Sequence, residues 1–266
     1  MRAARIIDGL LPFLLVALGF LAESPALWLA CFAFAFLVLS STVLGSAGAF
    51  YLLSRRVGRR IQRPHRGTPP IRREAFETLR SMFIAATLAA WPVSQWQLGH
   101  PTGLVVDLRA TGASPVVITL ATGVGLLVVD AWLYWKHRLL HTRLLFGFHR
   151  AHHSFRNPTP FAGFAVTPLE ALLTFWPTTL LCFPVLVHWA PLYWPLVLGF
   201  IVLNLYLHSG VTFGWVEATL PRVFINTSAH HNIHHSHATA NYGEALTVWD
   251  VVCRTRLQDR RGAEPA

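Results

Sequence analysis

His137-Arg-Leu-Leu-His141, at the end of a long apolar run, leads into His149-Arg-Ala-His152-His153, and the pattern returns near the C-terminus as His230-His231-Asn-Ile-His234-His235. Neutral imidazole offers a nitrogen lone pair at physiological pH, which makes histidine the commonest metal ligand. Residues three and four apart share a helix face, so each segment predicts a row of imidazoles on one side, each row able to hold metal. Counting back from His141 at about 100° per residue, Asp130, Tyr134, His137 and His141 fall within roughly 60° of arc. An acidic residue therefore lies on the ligand face, and the chain reads as a membrane enzyme built around a polyhistidine centre.

The rest of the sequence supports the membrane half of that reading. Of 266 residues, 53% are hydrophobic and only 13% charged, and the mean hydropathy is +0.45. A soluble domain of this size is rarely so apolar. The formal net charge of +10 comes mostly from arginines flanking apolar runs. That is the pattern of a cytoplasmic membrane face and excludes a nucleic-acid partner. Cys31, Cys182 and Cys253 are isolated, without the paired spacing of disulfides or cysteine-type zinc sites. The N-terminal apolar run lacks a small-residue cleavage site and is read as a retained helix.

Taken in order, the apolar runs predict an all-α, multi-pass transmembrane bundle of about six spans with a cytoplasmic, histidine-rich helical cap. The expected spans are Ile6 to Ala22, Ala26 to Leu53, Glu74 to Leu98, Pro115 to Trp135, Pro168 to Val187 and Leu192 to Leu207. Arg55, Arg56, Arg59, Arg60, Arg63, Arg66, Arg72 and Arg73 crowd the connector from Ser54 to Arg73 and mark it cytoplasmic. This topology leaves Arg109 as the one residue among 22 Lys and Arg in an outside loop. It also delivers every histidine cluster to one side of the membrane. The expected organisation is one integral-membrane domain over 1–266, with N-terminal spans and a basic connector in 1–114 and the histidine-bearing catalytic region in 115–256. His65, His100, His188 and His237 lie outside the rows and are read as interfacial or hydrogen-bonded core histidines.

From Asp130 through Tyr134-Trp-Lys-His137-Arg-Leu-Leu-His141, Phe148-His149-Arg-Ala-His152-His153-Ser154 and His230-His231-Asn-Ile-His234-His235 to Asn241-Tyr242-Gly243 and Trp249-Asp250, the chain resembles the fatty acid hydroxylase/sterol desaturase superfamily. The family's HxxxH, HxxHH and HxxHH boxes occur in order, over nearly half the chain. The resemblance implies a non-haem centre of two metal ions, usually iron, that activates O2 to hydroxylate or desaturate a lipid C–H bond. Carried over, it makes His137, His141, His149, His152, His153, His231, His234 and His235 metal ligands. His208 resembles a further family histidine that follows the last membrane hairpin, and Asn204 lies one helical turn before it. His230 is a lesser candidate, since His231 fits the box better. Two positions depart from the family pattern: Thr167-Pro168-Leu169-Glu170 stands where members carry His-Pro-x-Glu, and Val252-Cys253-Arg254-Thr255 follows Trp249-Asp250.

A site held by neutral imidazoles is strongly cationic, which assigns Asp130, and with it Asp250, to orienting ring N–H groups and offsetting charge rather than to ligation. Tyr134 and the tryptophans read as interface anchors. The expected function is O2-dependent hydroxylation of a fatty acyl or sterol-like lipid drawn from the bilayer, with desaturation on the same centre as the nearest alternative. From another class stand a membrane metal transporter, whose ligands belong near mid-membrane on broken helices, and a bis-histidine haem protein, which needs only axial ligands. Only about ten residues follow Thr255, so electrons are expected from a separate ferredoxin- or cytochrome-type donor. The expected location is the plasma membrane of a bacterium.

Overall fold

The computed structural model describes residues 2–61, 69–155 and 157–257; Arg63, His65 and Arg66 of the basic connector lie outside them. Helices dominate. In chain order they are α1 (Arg2–Gly19), α2 (Pro25–Val57), α3 (Ile71–Gln97), α4 (Pro115–Leu140), α5 (Phe146–His153), α6 (Pro168–Leu180), α7 (Ala190–Leu207), α8 (Gly214–Thr219), α9 (Ser228–His237) and α10 (Val248–Val252). Proline occupies the first turn of α2, α4, α6 and α7. There its missing N–H costs nothing and its fixed φ starts the helix.

Each of the six expected spans contains a helix, but the one expected over Pro168 to Val187 is helical only to Leu180. Among the described residues, α2, α4 and α7 are long and apolar enough to cross a membrane. Three charged residues, Arg2, Arg5 and Asp8, interrupt α1; α3 opens with an amphipathic, charged turn; and α6 is only 13 residues long. The outer surface of the bundle is apolar, with Phe13, Leu21, Phe34, Leu37, Val116, Leu120, Val128 and Val202 all exposed. Polar residues are buried instead, which is the arrangement a lipid environment selects and water does not.

Packing inside the bundle relies on small residues. Ala85, Ala86 and Ala90 of α3 are buried, which lets α2 approach closely, and Trp28 and Cys31 of α2 close over Ala90. Further along, Val43, Ala47 and Met82 join Phe164 and Leu205 in one cluster. That cluster ties the α2–α3 hairpin to α7 and to the segment between α5 and α6. Two short pairings finish the ends: Arg59–Arg60 runs antiparallel to Val211–Thr212, and Leu104–Val105 runs parallel to His188–Trp189.

Buried carboxylates connect the helices to the segments that carry histidines. Glu74 of α3 accepts from the backbone N–H of Thr159 at 3.1 Å and from its hydroxyl, fixing the loop after α5. Asp8 of α1 accepts from the N–H of Leu169 at 3.0 Å. This satisfies an orphan donor at the start of α6 that the local sequence leaves uncapped.

Candidate metal centre

His137 ends α4 and His141 caps it; α5 carries His149, His152 and His153; His208 caps α7; and α9 carries His231, His234 and His235. These four pieces meet at one end of the bundle. Their imidazoles separate into two groups, His137, His141, His149, His153 and His234 in one and His152, His208, His231 and His235 in the other, and in each the ligand atoms lie within 4.8 Å of one another. The groups adjoin: the rings of His153 and His235, on opposite sides of the division, have centroids 4.9 Å apart.

The two groups cut across the rows, each of which the sequence places on one helix face. Residues i and i+4 stay together, as with His149 and His153 or His231 and His235, but the next residue is turned by about 100°. His152 therefore leaves its own box for the site of His231 and His235, while His234 joins His137 and His141. The second and third boxes each straddle both sites.

Hydrogen bonds from Nδ1 orient the rings. His137 is 2.9 Å from the carbonyl of Tyr242, His149 is 2.8 Å from Glu170 Oε1, His234 is 2.8 Å from the carbonyl of Ala240 and His208 is 2.9 Å from the carbonyl of Asn204. An Nδ1–H donated to an acceptor leaves the Nε2 lone pair facing inward. In the first group the buried Nε2 atoms of His137, His141 and His149 have no hydrogen-bond partner. In the second, Nε2 of His208 lies 3.2 Å from Nε2 of His152 and 3.1 Å from Nε2 of His231. Ligands about 2.1 Å from a shared metal stand roughly 3.0 to 3.4 Å apart, the spacing these second-group atoms show.

Burial pushes the pKa of His153 and His234 down to about 3, with neighbouring imidazoles acting in the same direction, and that of His208 to about 4. His149, His152, His231 and His235 are also held well below the ordinary value, burial being the main cause. At neutral pH these rings are uncharged and ready to ligate.

The Asn241-Tyr242-Gly243 loop frames the first group. Asp250 accepts from the N–H groups of Tyr242 and Gly243 at 2.8 and 2.9 Å and from the Thr255 hydroxyl at 2.7 Å. Only glycine fits at 243, because a Cβ there would meet Leu246 O at 2.6 Å. Asp130 grips the same loop from α4. It accepts from Trp249 Nε1 at 2.7 Å and from the N–H groups of Ala245 and Leu246, both at 3.3 Å. These are not the imidazole donors expected of it, since α9 does not fold back over α4 as far as Asp130.

Several other residues differ from their sequence reading. Glu170 is the carboxylate that orients a candidate ligand, and the sequence signal for it was the Glu retained from His-Pro-x-Glu. Thr167, in the histidine position of that pattern, donates to the carbonyl of Phe148 at 2.9 Å and ties α6 to α5. Tyr134 is fully buried and hydrogen-bonded to Thr255 at 2.9 Å, so it is no interface anchor. His230 lies outside both groups, its Nε2 3.4 Å from Asp250. In line with their reading, His100, paired with Glu23 at 2.8 Å, the buried His188 and His237, bonded to its own helix at 3.1 Å, lie outside both groups.

Fold and site together define a helical, membrane-type protein with paired polyhistidine pockets. The chain belongs to the fatty acid hydroxylase family, whose model matches residues 122–255, the stretch holding both groups. It is 34% identical over 129 residues to lathosterol oxidase of Homo sapiens, covering 47% of this chain and 41% of that protein. Similarity to Delta(7)-sterol 5(6)-desaturase ERG3A of Gibberella zeae is 34% over 134 residues, covering 47% and 34%. Methylsterol monooxygenase 1 of Rattus norvegicus is 32% identical over 147 residues, covering 53% and 48%. The chain thus spans less than half the length of each of these relatives. All three are eukaryotic and lend no support to the expected bacterial membrane. No solved structure matches the chain.

Proposed function

We propose that this chain is a membrane oxidoreductase that uses two metal ions, iron in both sites, and O2 to hydroxylate a C–H bond of a fatty acyl or sterol-like lipid. The observation that carries this reading is the division of nine imidazoles into adjoining groups of five and four with lone pairs facing inward. Such a pair of ions, when bound, supplies the redox chemistry that an unactivated C–H bond requires. The protein's own contribution is positional. Glu170 and the carbonyls of Ala240, Asn204 and Tyr242 hold the rings in the ligating tautomer, and in this reading a lipid reaches them from the bilayer at the ends of α4 and α7.

In the same proposal Asp130 positions the loop behind His137 and takes no part in ligation. The histidine groups face the cytoplasm, six helices span or enter the membrane, and reducing equivalents arrive from a separate ferredoxin- or cytochrome-type protein. A second reading, desaturation on the same centre, draws on the names of lathosterol oxidase and the Delta(7)-sterol 5(6)-desaturase. Lipid mass spectrometry of cells with and without the gene tests both. A lipid gaining one oxygen atom supports hydroxylation, one losing two hydrogens supports desaturation, and an unchanged lipid profile with full expression refutes the proposal.

A further inference from the structure

Tyr134 of α4 is completely buried and stands between the protein surface and the first histidine group. On its inner side its ring centroid is 6.3 Å from that of Tyr242. Tyr242 in turn lies 5.3 Å from His141, 5.7 Å from His234 and 5.9 Å from His137. On its outer side Tyr134 meets Trp135 edge to face at 5.5 Å, and Trp135 is 46% exposed. Ordinary packing brings aromatic rings to such distances, so the ring contacts alone assign no function. The hydroxyl does more. Tyr134 Oη is 2.9 Å from Thr255 Oγ1, and the Thr255 hydroxyl donates to Asp250 Oδ1 at 2.7 Å. A hydroxyl has a single proton to give, so Tyr134 donates to Thr255, and its phenol proton has a relay to a buried carboxylate. Arg138 adds a bias: its guanidinium lies 5.3 Å over the Trp135 ring and donates to Tyr134 Oη at 3.4 Å. A cation so placed opposes positive charge on either ring, so each ring gives up an electron only together with a proton.

We propose that Trp135, Tyr134 and Tyr242 form an escape route by which an oxidising equivalent left at the metal centre, when no C–H bond is in reach, is quenched by electrons from the surface. The Tyr134 ring gives one electron inward across the Tyr242 ring. Its phenolic proton passes to Thr255 as the Thr255 proton passes to Asp250, which leaves a neutral phenoxyl radical. Trp135 then gives Tyr134 one electron, the proton returns from Asp250 by the same relay, and the indole N–H proton leaves to solvent beside Arg138. At the surface a soluble thiol restores Trp135 with one hydrogen atom. Two passages deliver two electrons to the centre and convert two thiols into one disulfide. This inference rests on the oxidase reading and adds a protective function to it.

The test is freeze-quench electron paramagnetic resonance of the iron-loaded, dithionite-reduced protein in detergent, mixed with O2 in the absence of lipid. Deuterated tyrosine and deuterated tryptophan assign the radicals. The wild-type protein is expected to show a tyrosyl and a tryptophanyl signal, both abolished by added glutathione. Tyr134→Phe keeps the ring but should lose both signals, and mass spectrometry should find oxidation moved from Trp135 to the histidines of the first group. Trp135→Leu should keep the tyrosyl signal and prolong its life, a pattern that a merely structural role does not produce. Protein that binds iron and consumes O2 yet shows neither radical overturns this inference and spares the oxidase reading. So does a tyrosyl signal that survives Tyr134→Phe, or one that decays equally fast, or is missing, in Trp135→Leu. Failure of the wild-type protein to bind iron or to consume O2 overturns the oxidase reading and this inference with it.

Discussion

Glu170 Oε1 lies 2.8 Å from His149 Nδ1, and both residues are almost completely buried. The bond fixes the ring so that Nε2 turns toward the other four imidazoles of its group. Glu170 also lines a neighbouring cavity.

Replacing Glu170 with Ala removes the acceptor and should lower metal affinity or turnover about 10- to 100-fold, the usual cost of losing a ligand's orienting partner. Glu170→Gln keeps an acceptor and should fall between Ala and wild type. Metal analysis after dialysis, with turnover measured alongside, tests the order; wild-type metal retention together with wild-type turnover in the Ala variant would exclude the orienting role.

The division between boxes yields a stoichiometric test. His149 and His152 are neighbours in α5 but belong to different groups. The variants His149→Ala and His152→Ala should each lose roughly half of the bound metal, from different sites, without unfolding the helices. A spectroscopic probe that separates the two ions should see complementary losses, and identical spectra from the two variants would contradict the grouping.

Asp130→Asn retains an acceptor for Trp249 Nε1 but weakens the hold on Ala245 and Leu246. We expect turnover to drop by about 10-fold with most metal retained. Asp250→Ala strips the loop of both backbone anchors at Tyr242 and Gly243 and should be the more damaging of the two. Unchanged turnover in the Asn variant would reduce Asp130 to a packing residue, and complete metal loss with the fold intact would make it a ligand.

Acid should destabilise the metal-free protein. The unfolded chain titrates its histidines near 6.5, whereas burial keeps His153, His234 and His208 neutral until pH 3 to 4. Between those values the unfolded state binds more protons, so stability falls as pH drops through this window. The unfolding midpoint in detergent should be lower at pH 5 than at pH 7.5 by at least about 5 °C. Equal midpoints would mean that the pocket is hydrated and its imidazoles charge freely.

For topology, single cysteines at exposed positions report sidedness. Arg143→Cys, beside the histidine groups, and Val106→Cys, beside the Leu104–Val105 strand, should label from opposite faces of a sealed vesicle. Position 65, which lies outside the described residues, should follow Arg143. Labelling of positions 106 and 143 from one face would refute the six-span arrangement.

Much of this protein is written in local sequence. Apolar runs started by Pro25, Pro115 and Pro168 set where α2, α4 and α6 begin, because proline's backbone restriction acts within one turn. Eight of the nine candidate ligands were legible for a similar reason, since spacings of three and four describe a helix surface without reference to the rest of the chain; His208 came from the family resemblance alone. The partition of those ligands was not legible. A helix's phase fixes how His152 and His153 diverge, but which neighbours each meets depends on how α4, α5, α7 and α9 converge. Nor does any local rule bring Glu170 to His149, Asp8 to the start of α6, or Asp130 and Asp250 to the loop after α9. Those contacts join residues up to 161 positions apart, and only the packing of helices around a polar interior brings them together.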